Sequence, residues 1–303
     1  MRLRTRFNAE KMNLKYNVPE GFLNEEVRRD YTISETMKKA WAVQLDLLQE
    51  LMRVCNEHGL KVYADSGTLI GAVREKGFIP WDDDIDVAMM RDDYDQLMAL
   101  ADEFQDPFYL QSTATHEYYI NRYAQLHMRG TTAIRLDGKP QRHQQNIFID
   151  IFVIDTLPSN PRAFKHHYAK VRQASQRLKF VRKFTHALPA PVYRWCRNNT
   201  KLLSDKYWYA EFERIVRSVK RDDRKAYGAF LCQNMTLPIK YLGGYSEMKL
   251  LPFEHIMIPV PAGYDELLRM EYGDYMKPVQ APTMHGTMLY DAEHSYEHYL
   301  KKK

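Results

Sequence analysis

An α/β (α+β) fold, built on a mixed sheet with flanking helices and a basic helical insertion, is what this 303-residue sequence predicts. Three observations carry it. Ile85, Val87 and Met89 alternate with Asp84, Asp86 and Ala88, the period-two pattern of a strand with one apolar face. Asn146 to Ile154 (NIFIDIFVI) is the strongest strand pattern in the chain and reads as buried. Met37, Trp41, Leu45, Leu48, Met52 and Cys55 recur at three- and four-residue spacing, the stripe of an amphipathic helix.

The elements follow in order. Residues up to about Arg29 have no period and read as an extended arm. Thr32 and Glu35 have the spacing of a capping box, and Gly59 is the stop of the helix they open. Lys61–Ala64 reads as a short strand feeding a Ser66-Gly67-Thr68 turn, Thr68–Val73 as the start of a helix, and Glu75–Pro80 as the return to the acidic strand. Asp92–Phe104 is a second helix, with Asp92 or Asp93 placed to cap it. Phe108–Gln111, Tyr118–Met128 and Thr131–Leu136 read as strands, with a turn at Asp137-Gly138. Beyond Ile154 the pattern gives helices over Pro161–Ala187 and Pro191–Lys220, a strand near Phe253–Ile258, and a helix from Tyr264 to Tyr272 ended by Gly273. A polar tail follows Pro282. The chain thus divides into an arm (1–30), a catalytic core (31–160), a basic helical region (161–245) and a C-terminal part completing the core (246–303).

Hydrophobic content of 45% and charged content of 27% are ordinary for a globular protein. Cys55, Cys196 and Cys232 form neither a CxxC pair nor a disulfide framework, which points to a reducing compartment. The basic N-terminus lacks the apolar centre of a signal peptide, and no stretch approaches the ~18 apolar residues of a membrane span. The expectation is a cytoplasmic protein, or one peripheral at the inner membrane face. Between Arg162 and Lys225, Lys and Arg outnumber Asp and Glu by thirteen, far more than the net charge of +5 suggests. Solvated helix faces are one reading of that region, and a patch for an anionic polymer or membrane surface is a second. Nucleic-acid binding, the third, lacks any supporting motif.

The chemistry concentrates between Tyr63 and Val87. Asp84 and Asp86, two apart on a strand, stand about 6.6 Å apart on one face. Ionised, they repel by about 2–3 kcal/mol at an effective dielectric of 20. A divalent cation, Mg²⁺ or Mn²⁺, removes that conflict and keeps positions open for water and phosphate. A solvated acidic turn is the alternative, but it has no need of Ile85 and Val87 between the acids. Asp150, central in a buried strand, is costly unless paired or bound to metal. A turn of backbone N–H groups at a helix start cradles phosphate. Together these are the parts needed to place two metal ions on a nucleotide, with a third carboxylate activating a hydroxyl or acting as its base.

Gly67-Thr68-Leu69-Ile70-Gly71-Ala72-Val73-Arg74, followed by Gly77-Phe78-Ile79-Pro80-Trp81-Asp82-Asp83-Asp84-Ile85-Asp86, closely resembles the signature of the LicD/fukutin-type phosphotransferases. These belong to the nucleotidyltransferase superfamily that includes DNA polymerase β. Phe148–Asp155 is similar to the third-carboxylate strand of that family, and Glu271–Met276 to its C-terminal Tyr-Gly-Asp element. The resemblance spans residues 35–155 well and 248–280 weakly. It implies a nucleotidyltransferase-like fold and transfer of a phospho-base, typically phosphocholine from CDP-choline. The acceptor would be a sugar hydroxyl of a surface polysaccharide, lipopolysaccharide or teichoic acid, free or lipid-linked, and CMP would be released. Asp84, Asp86 and Asp150 would be the catalytic and metal-holding carboxylates, Asp82 would reach the same metal or its waters, and Ser66, Gly67 and Thr68 would contact phosphate. Glu75 departs from the family, which commonly has histidine after the arginine.

Weaker candidates have two readings each. Arg74 and Lys76 either neutralise the diphosphate or act as structural partners. Trp81 either stacks on the donor base or packs in the core. Tyr118, Tyr119 and Tyr123 either form an aromatic cage for a quaternary ammonium or cluster by chance among 21 tyrosines. Asp155 and Asp274 read as turn caps, and His285 as a surface histidine or a minor acceptor contact. Two rival functions remain at this stage. A metal-dependent glycosyltransferase also uses Asp-x-Asp but needs neither the Gly-Thr turn nor Asp150. A catalytically dead glycan-binding relative should have lost a carboxylate.

Overall fold

The computed structural model describes residues 12–137, 142–219, 227–229, 231, 240–280 and 285–300. Strands β1 (Glu26–Arg28) and β2 (Tyr31–Ile33) form a hairpin turned through Arg29 and Asp30, both at positive φ. Helix α1 (Glu35–Glu57) follows. Its cap is Ser34, whose hydroxyl accepts from the Met37 N–H, not Thr32, which is spent in β2. The helix is buried on most of its circumference, Trp41, Leu45, Leu48 and Leu51 included.

β3 (Tyr63–Ala64) leads into α2 (Ser66–Ile70), which widens into a π-turn over Gly71–Glu75 and stops at Lys76, at φ 57°. β4 (Asp86–Met90) begins two residues later than its alternation suggests: Asp84 and Ile85 belong to the approach, not the ladder. Helix α3 (Arg91–Ala99) starts from Met90 with no side-chain cap. Asp92 and Asp93 lie in its first turn, where they favour the positive end of the helix, and the predicted continuation to Phe104 is a separate 3-10 turn.

β5 (Phe108–Gln111) pairs with β6 (Ala124–Met128), and β7 (Thr132–Arg135) leads towards β8 (Phe148–Thr156). The predicted strand Tyr118–Met128 is therefore strand only from Ala124. Its first part is held instead by Tyr118, which stacks on Tyr193 at 4.1 Å. β8 is the spine of a seven-stranded mixed sheet: β4 runs parallel along one edge, and β6 runs antiparallel along its first half.

The basic region forms α4 (Pro161–Thr185), α5 (Ala190–Asn199) and α6 (Asp205–Val216). The last two were expected as one helix. The break is made by Ser204, whose hydroxyl donates to the Arg197 carbonyl and accepts from the Tyr207 N–H, ending one helix and capping the next. β9 (Tyr227–Ala229) joins the end of β8, and β10 (Lys240–Tyr241) extends the sheet. A small second core of Val171, Ala174, Phe212, Val216 and Leu231 lies beneath α4 and α6.

β11 (Met248–Phe253) and β12 (Ile256–Pro261) form a hairpin. The predicted strand Phe253–Ile258 spans its two-residue turn, whose geometry gives Glu254 φ 53°, and the Glu254 carboxylate accepts from Arg28 at 2.6 and 2.8 Å. Helix α7 (Tyr264–Tyr272) ends at Gly273, as its pattern indicates. β13 (Met288–Asp291), paired with β7, and α8 (Glu297–Leu300) complete the chain. Cys232, Gly138 and the final lysines lie outside the described residues. Among the described residues no helix is long and apolar enough to cross a membrane.

Candidate active site

Register across the sheet puts Asp86 of β4 opposite Asp150 of β8, and Asp150 opposite Gln125 of β6. Asp84 reaches the same point from the approach to β4, so that one carboxylate oxygen from each of Asp84, Asp86 and Asp150 lies within 4.8 Å of the others. These are hard oxygen donors at the spacing a divalent cation needs, so the residues fit one. Asp150 is fixed by its neighbours: the Gln125 amide donates to Oδ1 at 2.7 Å and the Tyr123 hydroxyl to Oδ2 at 3.4 Å.

The loop that delivers Asp84 hangs from α1. Trp41 Nε1 donates to the Asp82 carbonyl at 3.1 Å and Gln44 Nε2 to the Asp83 carbonyl at 2.8 Å. Trp41 itself stacks flat on Phe78 at 4.3 Å, so the amphipathic stripe of α1 positions the acidic run by both packing and hydrogen bonds. On the other side the Thr68 hydroxyl accepts from the Asp86 N–H at 2.9 Å. A Cβ at Gly67 would lie 2.4 Å from Asp82 Oδ2, so only glycine lets that carboxylate approach the start of α2.

The carboxylates crowd each other electrically. Burial, then the charges of Asp83 and Asp150, push Asp84 up to about 6, with His285 pulling the other way. Burial likewise lifts Asp150 to about 6 against His285. Asp86 and Asp82 are raised well above the usual range, by burial first and then by Asp84. His285 answers this field. Burial disfavours its charge, but the hydrogen bond to Asp83 at 3.4 Å and the charges of Asp84 and Asp150 outweigh it and hold the imidazole up at about 9.

The cluster opens into a cleft of about 820 Å³. Residues 59–192 match the family described as LicD/FKTN/FKRP, nucleotidyltransferase domain. The Haemophilus influenzae protein named lipopolysaccharide cholinephosphotransferase LicD is 30% identical over 264 residues, covering 80% of this chain and 92% of its own length. The chain belongs to the LicD family. It is accordingly a transferase, an enzyme of the phosphotransferase type. An uncharacterized Rickettsia prowazekii protein is 34% identical over 90 residues, 30% of this chain and 33% of its own.

Within this LicD-family cleft, Ser66, Gly67, Arg74, Trp81 and Asp82 join the three central aspartates along the walls. Two residues expected to touch substrate do not line it. Thr68 is buried and its hydroxyl accepts from the Asp86 N–H, so the side chain positions a carboxylate. Lys76 is exposed beyond the π-turn, where the left-handed backbone sends the chain away from the site. Arg74 lines the cleft, but its Nε donates to Glu75 and its Nη1 to the Tyr275 carbonyl, both at 2.6 Å, which favours the structural-partner reading. Glu75, the departure from the family pattern, also accepts from Arg29 at 2.9 Å. Trp81 meets Tyr31 edge-on at 6.2 Å.

The tyrosine cage is not formed. Tyr118 and Tyr119 are buried away from the cleft, Tyr119 donating to the Tyr123 carbonyl at 3.1 Å, and only Tyr123 of the three lines it. Asp155 is no turn cap. It accepts from Arg91 Nε and Nη2 at 2.7 and 3.0 Å, while Arg91 Nη1 reaches Glu213 of α6. His285 is a site residue and not a surface one, 3.4 Å from Asp83 and 3.7 Å from Asp84. Lys240, unremarked in the sequence, is buried between Asp65, at 2.8 Å, and Glu271, at 3.1 Å. Its lysine adds no motif, and only the fold brings it to the base of α2.

Proposed function

We propose that this LicD-family enzyme moves a phospho-base, most specifically phosphocholine, from a CDP-linked donor to a sugar hydroxyl of a cell-surface glycan or glycolipid, releasing CMP. The convergence of Asp84, Asp86 and Asp150 at one point of the cleft is the observation that carries the reading. The name of the Haemophilus influenzae relative supports choline phosphate and lipopolysaccharide. Teichoic acid and capsule polysaccharide are acceptors of the same chemistry.

Asp84, Asp86 and Asp150 would hold Mg²⁺ or Mn²⁺, with Asp82 supporting the same metal or its waters, and two ions are expected. When bound, the metal neutralises the diphosphate and the charge that develops on transfer. The protein's own groups do the rest. Asp150, oriented by Gln125 and Tyr123, sits where it can take the proton of an attacking hydroxyl. Cationic His285 offsets the negative charge of the Asp83–Asp84 side. Ser66 and Gly67 form the wall beside the donor phosphates.

We place the acceptor against a further part of the cleft. His127, His143 and Gln144 line it, each with a buried polar atom that has no hydrogen-bond partner among the described residues. Burial keeps both imidazoles neutral, His143 down at about 4. Neutral rings and amides can both donate to and accept from sugar hydroxyls. We place the catalytic unit in 31–160 and 246–303, the arm in 1–30 and a basic helical unit in 161–245. The enzyme is assigned to the cytoplasm, either free or peripheral at the inner membrane face, with no nucleic-acid partner.

The test is CMP release from CDP-choline with Mg²⁺, with Mn²⁺ and with chelator, beside Asp84→Asn and Asp150→Asn. Metal-dependent CMP that disappears in both variants is expected. UMP, UDP or GDP from a panel of nucleotide donors, with none from CDP-choline, overturns the reading.

A further inference from the structure

The outer face of α4 and α5 is not used by the chemistry above. From residue 156 to residue 204 the chain carries eleven Lys and Arg and no Asp or Glu. In the same stretch five large apolar side chains stand exposed: Phe180 at 73%, Phe184 at 55%, Val192 at 45%, Trp195 at 60% and Leu202 at 76%. Phe180 and Phe184 are one turn apart on α4, on the side away from buried Leu178, Val181 and Thr185. Val192 and Trp195, three apart, are likewise neighbours on α5, with Trp195 on the side away from buried Tyr193. Arg177 joins α4 to Leu202: its guanidinium lies 5.3 Å over the Trp208 ring, whose indole N–H donates to the Leu202 carbonyl at 3.1 Å.

A solvated basic face has no use for five apolar side chains, and burying them against water-free surface is favourable. A phosphate-backbone ligand would use the charge but not the aliphatic and aromatic tips. We propose that this face docks on an anionic lipid surface. Phe180, Phe184, Trp195 and Leu202 enter the headgroup region, while Arg177, Lys179, Lys183 and Lys201 meet the lipid phosphates. Arg182 and Arg197 are not part of that rim. They are buried, and Arg182 donates to Thr113 Oγ1 and the Ile120 carbonyl while Arg197 Nη2 donates to the Thr113 carbonyl. Ile120 and Asn121 line the cleft, so the docking helices are fastened to its rim. The cleft is thereby held at a lipid surface whatever group it transfers, and the inference does not rest on the proposed reaction.

The experiment is co-sedimentation of the full chain with vesicles of phosphatidylcholine alone and of phosphatidylcholine mixed equally with phosphatidylglycerol. Binding to the anionic vesicles only, weakened by salt, is expected, with a blue shift of tryptophan emission that Trp195→Phe removes. The triple variant Phe180→Ser/Trp195→Ser/Leu202→Ser, checked for an unchanged melting curve, should partition about tenfold more weakly or worse. Full-strength vesicle binding by that variant overturns the proposal, as does a wild-type chain that stays in the supernatant at low salt. Two further results overturn it: duplex RNA captured by a chain that ignores vesicles, or a homodimer that the triple variant dissociates.

Discussion

Asp86 and Asp150 are direct register partners on the parallel pair β4 and β8. Adjacent parallel strands point their opposed side chains to the same face, so two acids from residues 64 positions apart in sequence meet without any loop to place them. The arrangement is built into the sheet itself where it meets the cleft, with Asp150 buried and Asp86 half-buried. Its electrostatic conflict is therefore permanent, and it resolves only by protonation or by a cation.

That conflict has a pH signature. Asp84 and Asp150 sit near 6 when folded, above the ordinary carboxylate value near 4. The folded chain thus holds protons that the unfolded chain releases between about pH 4 and 6, and this contribution to stability is lost as pH rises through that window. With chelator present, the melting temperature should fall between about pH 5 and about pH 7.5, and Mn²⁺ should raise it more at the higher pH. Asp150→Asn should flatten both responses.

Thr68→Val separates positioning from phosphate contact. The hydroxyl accepts from the Asp86 N–H, so its loss leaves a buried donor unpaired at a cost of about 1–3 kcal/mol and loosens the strand start. Denaturant melts should show that loss, with activity reduced roughly tenfold or more. Thr68→Ser should restore both. A hydroxyl that touched only the donor would leave stability unchanged.

Gly67→Ala should act through Asp82, since the new methyl would crowd Asp82 Oδ2. Activity is expected to drop by about tenfold to a hundredfold. The double variant Gly67→Ala/Asp82→Ala should be no less active than Asp82→Ala alone. Additive losses would show that Gly67 serves something other than this carboxylate.

Lys240→Met removes the cation buried between Asp65 and Glu271. Two carboxylates then face each other at the base of α2, and breaking such a pair costs about 3–5 kcal/mol. Thermal melting reads this directly. Adding Asp65→Asn to the variant should recover a substantial part of the loss.

The sequence made the carboxylates legible because Asp86 and Asp150 sit in strands, and Asp84 just before one, whose period-two pattern is short-range. The Asp84 and Asp86 pair, the helix α7 and its Gly273 stop, and the Gly67 turn could be read from neighbours in the chain, whereas the meeting of Asp86 with Asp150 is made by the sheet. Long-range partners could not. Nothing local distinguishes His285 from a surface histidine, because its role comes from Asp83 and Asp84, two hundred positions away. The choice between a cage and chance clustering for Tyr118 and Tyr119 was closed to the sequence for a related reason: their ring contacts lie with Tyr193 and His143, beyond any local window. Thr68 was assigned to phosphate from its position in the turn, and the sheet assigned it to Asp86. Helix ends shifted where a side chain such as Ser34 or Ser204 bonded better than the residue the spacing favoured.

Isothermal titration of Mn²⁺ into the chain, with CMP present, is the most direct measurement of the central claim. Saturable binding is expected in the wild-type chain and its loss in both Asp86→Asn and Asp150→Asn, with melting curves that show each variant folded. Undiminished Mn²⁺ binding by the two variants, or none by the wild type, would contradict a metal centre at these strands.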